Sequence, residues 1–382
     1  METFWLFIIC SLLFAINFFI TKKFGLKNVE YEIYFEESKK TEGDEIHIIE
    51  RIYNGKLMPL PWVKSEFEVS ASFFMENAKN YVVGDKLRYI SIFFLLPYQQ
   101  IIRRHRFVAT KRGFYKLDKI YLVTGDLFGL STDDRCYYVN SNITIYPAFL
   151  DLKKHLLPRS SLSGEVVVKR HYYEDIFYFA GIREYQSYDS FNRINWNATA
   201  KYNTLMVNKY EYTSSGDALI LLNVQSSEYE RKEVFNKNAI EFGIKIAASL
   251  AKECLDSHVP VGFVCNGVDE ETLQPLEILL PSQDSNQLLK ILETLAHIKI
   301  QVNEYFEALL FEVLRNYSFR ELFVITSFIN KEMEDSILLY SSLGVKFTII
   351  LLEYDEKHLN LESENIRIFL AKQQLLESTK VS

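Results

Sequence analysis

The residues with the densest chemical potential lie between Gly181 and Glu211, where Arg183, Asp189, Arg193, Lys201 and Lys209 interleave with Tyr185, Tyr188, Phe191, Trp196 and Tyr202. Guanidinium groups grip a carboxylate or phosphate through parallel, charge-assisted hydrogen bonds, and aromatic rings beside them exclude water from the contact. The chemistry on offer is anion or partner binding by Arg183, Tyr185, Asp189, Arg193, Trp196 and Lys201. The same groups could instead form a clasp between two parts of the fold. The clasp is the favoured expectation, because the segment contains no activated nucleophile.

Other chemistries lack their residues. None of the 14 glycines is separated from the next by a single residue, so no G-x-G-x-x-G loop exists, and no G-K-[ST] phosphate loop is present. The seven histidines, from His47 to His358, show no H-E-x-x-H or Cys/His zinc spacing. No G-x-S-x-G elbow marks a serine nucleophile. Cys136, Cys254 and Cys265 have no paired spacing and read as reduced thiols. Arg103, Arg104, Arg106, Lys111 and Arg112 form the densest basic cluster. It suits either a membrane surface or, preferably, a strand edge protected by charge.

These residues must be held by a chain of 382 residues with 48% hydrophobic residues and a net charge of −7. The apolar content excludes disorder, and the acidity excludes a dedicated nucleic-acid binder. A mean hydropathy near zero conceals an apolar start: residues 3–20 have only Thr3, Ser11 and Asn17 as polar members. A helix of that length spans nearly the hydrocarbon core, so residues 1–22 are expected to be a transmembrane anchor in contact with the lipid bilayer. Lys22, Lys23 and Lys27 follow the span and none precedes it, which predicts a single-pass protein of the cell membrane with its soluble domains in the cytoplasm.

From residue 27 to 130, alternation such as Val29, Tyr31, Ile33 and Phe35 against Glu30, Glu32 and Glu36 predicts six or seven short strands in an antiparallel, Ig-like β-sandwich. Residues 131–216 form a connecting region: 142–146 could be one strand, and 157–164 reads as a loop or hinge. From 217 to 382, strands alternate with helices, which predicts an α/β parallel sheet covered on both faces. The whole is an α+β multidomain chain. Charge divides along the same line. Residues 1–216 carry 28 Lys+Arg against 24 Asp+Glu, whereas 217–382 carry 15 against 26.

The 181–211 segment resembles the signature of the bacterial membrane-protein family known as domain of unknown function 58, approximately G-x-R-x-Y-x-x-G-D-x-x-R-x-I-x-W-K-x-x-A-R. Gly181, Arg183, Tyr185, Asp189, Arg193, Ile194, Trp196, Ala200, Leu205, Val207 and Glu211 fall in register. Tyr188, Asn197 and Lys201 stand where the family usually has Gly, Lys and Arg. Lysine retains charge but loses the planar fork of arginine. Arg112-Gly113-Phe114-Tyr115 and Asp126-Leu127-Phe128-Gly129-Leu130 resemble further family segments.

The resemblance implies a C-terminal domain similar to von Willebrand factor type A domains, whose metal motif D-x-S-x-S follows the first strand. Here that place reads Asn223-Val224-Gln225-Ser226-Ser227, and Ser327 replaces a later acid. Hard cations need charged oxygen ligands, so Asn223, Gln225, Ser227 and Ser327 form a degenerate site, and no metal or other cofactor is expected. The resemblance also implies a partner, a ring-forming AAA+ ATPase of the MoxR type. The expected function is a membrane-anchored, non-enzymatic scaffold or adaptor in protein assembly or maturation. Two rival readings are an anion-binding hydrolase using the signature and an extracellular adhesion-type domain.

Overall fold

The computed structural model describes residues 4–5, 8, 12, 15, 18–19, 21–74, 81–83, 86–126, 131–158, 179–185, 196–202, 204–210, 217–353, 361 and 363–371. Within the apolar run, Phe4, Trp5, Ile8, Leu12, Ala15, Phe18 and Phe19 are helical, and the other positions of 3–20 lie outside the described residues. No helix among the described residues is long and apolar enough to cross a membrane. The transmembrane helix expected over 1–22 is therefore not found among them.

The chain divides into two compact units. One contains 1–149, 269–274 and 292–299, and the other contains the rest. Ten strands build the first: β1 (Val29–Phe35), β2 (Lys39–Thr41), β3 (Glu45–Asn54), β4 (Leu60–Ser70), β5 (Phe73–Phe74), β6 (Tyr81–Val83), β7 (Lys86–Leu95), β8 (Gln100–Ala109), β9 (Gly113–Gly125) and β10 (Thr132–Tyr146). They form a four-stranded sheet, β1-β3-β8-β5, and a six-stranded sheet, β2-β10-β9-β4-β7-β6. Every pairing is antiparallel except the short β2–β10 contact. The period of two read along β1 is realised, with Val29, Tyr31, Ile33 and Phe35 buried and the intervening residues exposed. Ile48, Ile52 and Phe107 from one sheet share a single core with Val63, Phe67, Phe93 and Ile120 from the other. Each such side chain contributes roughly 1.5–3 kcal/mol on burial.

The expected boundary at 130 falls within the β9–β10 pairing, and the β unit continues to Phe149. The basic cluster also divides. Arg104 pairs with Glu36 and Arg106 with Glu45 at the surface, while the Arg103 guanidinium lies 4.0 Å from the centre of the Phe93 ring. Arg112 is instead buried, and its Nη1 donates to the carbonyls of Leu295, Ala296 and Ile298 at 2.8, 3.2 and 3.0 Å. A cation there supplies the donors that the last carbonyls of the helix Gln287–His297 lack.

One ionisable group lies inside the β core. Glu50 on β3 is fully buried and accepts hydrogen bonds from Tyr31 Oη at 2.7 Å, Ser91 Oγ at 2.8 Å and Ser65 Oγ, with His105 Nε2 at 2.8 Å. Tyr31 and His105 come from its own sheet, Ser65 and Ser91 from the other, so one carboxylate stitches the two sheets. Burial pushes its pKa up, but the bonds from His105, Ser65, Tyr31 and Ser91 outweigh that and hold it below the usual carboxylate range. Burial and the neighbouring carboxylate push the Tyr31 phenol the other way, well above its ordinary value.

The second unit begins with α1 (Leu152–His155) and β11 (Leu156–Pro158). A separate two-stranded sheet follows, made by β12 (Phe179–Glu184) and β13 (Met206–Tyr210) with α2 (Trp196–Tyr202) between them in sequence. The remaining elements of the chain are β14 (Ala218–Leu222), α3 (Lys237–Asp256), β15 (Val261–Cys265), β16 (Val268–Asp269), β17 (Leu279–Ser282), α4 (Gln287–His297), β18 (Ile298–Lys299), α5 (Phe306–Asn316), β19 (Glu321–Thr326), α6 (Lys331–Ser342), β20 (Lys346–Leu351) and β21 (Ile366–Ala371), of which Asp269, the part of α4 from Leu292 onward and β18 belong to the first unit. β16 and β18 pair with each other.

The main sheet has the order β11-β21-β20-β19-β14-β15-β17. Its five central strands are parallel, and β11 and β17 are antiparallel edges. The sheet is thus mixed rather than wholly parallel. Leu156–Pro158 is an edge strand whose last two residues fall in the stretch expected as a loop, and an edge is a place where proline's missing N–H is tolerated. All five residues of β14 and of β15 are buried, as a sheet covered on both faces requires. Phe235 precedes Ile240 and Ile244 in one apolar series, yet it lies before α3 and is exposed, because the Asn236 side chain accepts from Ala239 N–H and starts the helix there.

Glu50→Ala leaves the buried Tyr31, Ser65 and Ser91 hydroxyls without their acceptor and is expected to destabilise the β unit by about 3 kcal/mol or more, at roughly 1–3 kcal/mol for each unsatisfied buried group. Because the folded pKa of Glu50 is depressed, its contribution is complete above the ordinary carboxylate range and fades as pH falls through the folded value. Urea titrations at a series of acidic pH values check both, since the variant should lose that component of the acid slope.

Candidate functional site

In the main sheet the chain leaves β14 towards β15 on one side and later adds β19 on the other. Loops that diverge in this way open a crevice at the carboxyl ends of the strands, where open α/β sheets hold ligands. The residues placed there are Asn223, Gln225, Ser226 and Ser227 after β14, Asn266 after β15, and Thr326 and Ser327 at the end of β19. The degenerate motif therefore occupies the switch point of the sheet. Asn223, Gln225, Ser226, Asn266, Thr326 and Ser327 are buried, and Ser227 is half-buried.

Amide side chains fill the crevice by bonding to one another. Asn223 Nδ2 donates to Thr326 Oγ1 at 3.0 Å, which joins the carboxyl ends of β14 and β19 directly. Asn223 Oδ1 accepts from Gln225 N–H at 2.9 Å and Asn266 Nδ2 at 3.2 Å. Gln225 Oε1 accepts from Asn266 Nδ2 at 3.2 Å and Phe306 N–H at 3.0 Å. Asn266 Oδ1 accepts from Val224 N–H at 2.8 Å.

A buried carboxylate beside this network is Glu230, 2% exposed and not singled out by sequence reasoning. It accepts from Ser226 N–H at 2.6 Å, from Phe235 N–H at 2.8 Å and from Ser226 Oγ. Ser226 Oγ in turn accepts from Asn236 N–H at 3.0 Å. Glu230 thus rivets the whole loop from Ser226 to the start of α3. The loop carries two aromatic side chains almost wholly in solvent, Tyr229 at 88% and Phe235 at 86% exposure.

A divalent cation does not fit this donor set. The amide oxygens of Asn223 and Gln225 are neutral and already accept backbone and side-chain donors, and Glu230 is saturated by its own loop. The Ser327 hydroxyl is buried without a hydrogen-bond partner among the described residues, but a neutral hydroxyl does not supply the charge that offsets cation dehydration. The only group of three His or carboxylate side chains within metal-binding distance among the described residues is Glu36, Glu37 and His47. There Glu36 already pairs with Arg104 and Glu37 with Lys40.

The signature residues are only partly in view. Arg183 lies on β12 opposite Val207 of β13, and Tyr185 N–H donates to Leu205 O at 2.8 Å. Trp196 starts α2 and is 66% exposed, so it is no buried wall, and Lys201 near the end of that helix is also exposed. Asp189 and Arg193 lie outside the described residues.

Residues 181–361 match the family described as "Protein of unknown function DUF58", which spans the signature and most of the mixed sheet. A Bacillus subtilis protein, YeaD, is 22% identical over 192 residues, half of this chain. The match covers 43% of that relative, so the chain spans less than half the length of the curated protein it resembles. Among solved structures, a cohesin module from Clostridium perfringens aligns with 32% of this chain and 97% of its own at 11% identity and a TM-score of 0.21. A CARDB domain from Pyrococcus furiosus aligns with 31% of this chain and 94% of its own at 9% identity and a TM-score of 0.20.

Glu230→Ala removes the acceptor for the buried Ser226 N–H and the part-buried Phe235 N–H and should cost roughly 2 kcal/mol. Hydrogen exchange should accelerate at Ser226, Phe235 and Asn236 before it does in β14. Adding magnesium to the unmodified chain should leave its melting temperature unchanged, because a ligand without affinity for the folded state contributes no stability.

Proposed function

We propose that this chain is a membrane-anchored, non-enzymatic scaffold or adaptor that offers the carboxyl edge of its mixed sheet to a partner protein. The observation that carries the reading is the pair Tyr229 and Phe235, held out in solvent on a loop whose backbone is fixed by the buried Glu230. Exposed aromatic side chains on a preorganised backbone are what protein interfaces use as anchors, since little further ordering is needed on binding.

We read the α/β unit as von Willebrand factor type A-like, working without a metal. Support comes from the position of Asn223, Gln225 and Ser227 directly after β14, with amide groups standing where charged ligands are expected. The partner proposed is a ring-forming AAA+ ATPase of the MoxR type. The net acidity of residues 217–382 favours a basic contact surface on it, which would make association fall with salt. The apolar run 3–20 supports the anchor, and the lysines after it support a cytoplasmic position for both units.

Affinity capture from native membranes tests the proposal. The full chain should retain the ATPase at low salt, and Tyr229→Ala with Phe235→Ala should reduce retention at least tenfold, in line with about 2 kcal/mol for a central aromatic contact. Repeated capture without any ATPase would remove the proposed partner.

A further inference from the structure

The surface of the β unit changes character along its strands. Outward positions of β7 read Lys86, Arg88, Ile90, Ile92, Phe94 and then Leu96 just beyond the strand, charged at one end and apolar at the other. Ile92, Phe94 and Leu96 are each more than half exposed. On β8, running back from the same end, the exposed series is Gln100, Ile102, Arg104 and Arg106, again with its apolar member on the Leu96 side.

Three loops meet at the apolar end. Asn54 Nδ2 donates to Met58 O at 2.9 Å and Leu96 O at 3.0 Å, and Gly55 N–H donates to Asn28 O at 2.8 Å. Lys56 Nζ donates to the carbonyls of Phe24 and Gly25, which fastens the segment following the 3–20 run to this end. The loop tips expose Leu57 at 75% and Tyr98 at 60%. Tyr98 has a φ of +57°, in a turn closed by Gln99 N–H to Leu96 O at 3.3 Å. A bulky residue in that region is strained where glycine would not be, and this turn presents its aromatic ring to solvent. Lys22, Lys23 and Lys27 are exposed around the same segment.

We propose that this end of the β unit rests on an anionic lipid surface, with Leu57, Leu96 and Tyr98 in the headgroup layer and Lys22, Lys23 and Lys27 at the lipid phosphates. The inference rests on the reading of 3–20 as an anchor, whose exit point is this same end. Tyrosine suits the interface because its ring is apolar and its hydroxyl is wet, and basic groups are drawn to an anionic leaflet. A second copy adding a strand to β7 is the less suited occupant, because Arg103 Nη2 already donates to the Ile92 carbonyl at 2.7 Å on that strand.

The test uses the full chain in vesicles of phosphatidylcholine with phosphatidylglycerol, with Cys10→Ser and Cys136→Ser so that a fluorophore can be placed on Leu57→Cys or, as a control, on Lys86→Cys. The label at 57 should become several-fold less accessible to iodide than the label at 86, and part of that protection should be lost in phosphatidylcholine alone. Tyr98→Gly, which relieves the turn, should keep or raise the melting temperature while increasing iodide access at 57. Equal access at both positions in a chain that resists carbonate extraction overturns the inference and leaves the anchor standing. Release by carbonate overturns both. Protection that disappears when vesicles hold one chain each identifies a second copy as the occupant and overturns the lipid assignment.

Discussion

A carboxylate taken out of water must be given back its hydrogen bonds by the protein, and both units of this chain are organised around that requirement. Removing such a group from solvent costs several kcal/mol even after relaxation, so the surrounding backbone and side chains have to be in place together or not at all. In the β unit, Glu50 draws donors from both sheets. In the α/β unit, Glu230 collects the N–H groups of a loop that would otherwise be free to move. One acid sets how two sheets face each other, and the other sets the shape of the loop that leaves the central strand.

The second of these arrangements bears on function. An α/β switch point normally leaves a crevice for a ligand, yet here Asn223, Gln225, Asn266 and Thr326 bond to one another across it. The polar groups that would receive a ligand are used to hold strands and loops in register. What faces outward is Tyr229 and Phe235. Exposed aromatic side chains on a fixed backbone are the feature on which the scaffold proposal rests.

The legible parts of the chain were those where one element carries its own pattern. The alternation of β1 and the succession of strands and helices after residue 217 could both be read directly, because burial on one face or two leaves a period or an unbroken apolar run. Of β10 only the end, 142–146, could be read as a strand, since none of its first eleven residues is fully buried and its last four are. Leu157 and Pro158 looked like part of a loop because proline suits a loop and an edge strand equally well. Phe235 fitted the helical spacing of α3, but the cap at Asn236 decided otherwise. Glu50 did leave a trace: it takes the inward register of β3 between Ile48 and Ile52, where an acid is out of place. Glu230 and Asn266 left none, since each acts through partners distant in sequence or through backbone groups.

The sequence by itself determined the α+β character, the division of charge, the 181–211 signature and the replacement of acids by amides at Asn223 and Gln225, all of which depend only on residue type and spacing. Tertiary structure decided that the later sheet is mixed, that Arg112 leaves the basic cluster to meet helix carbonyls, and that the amides close the crevice on themselves. The reason is the same in each case. Whether a polar group is a site or a strut depends on which donors and acceptors surround it once water is excluded, and those neighbours are brought together only by folding.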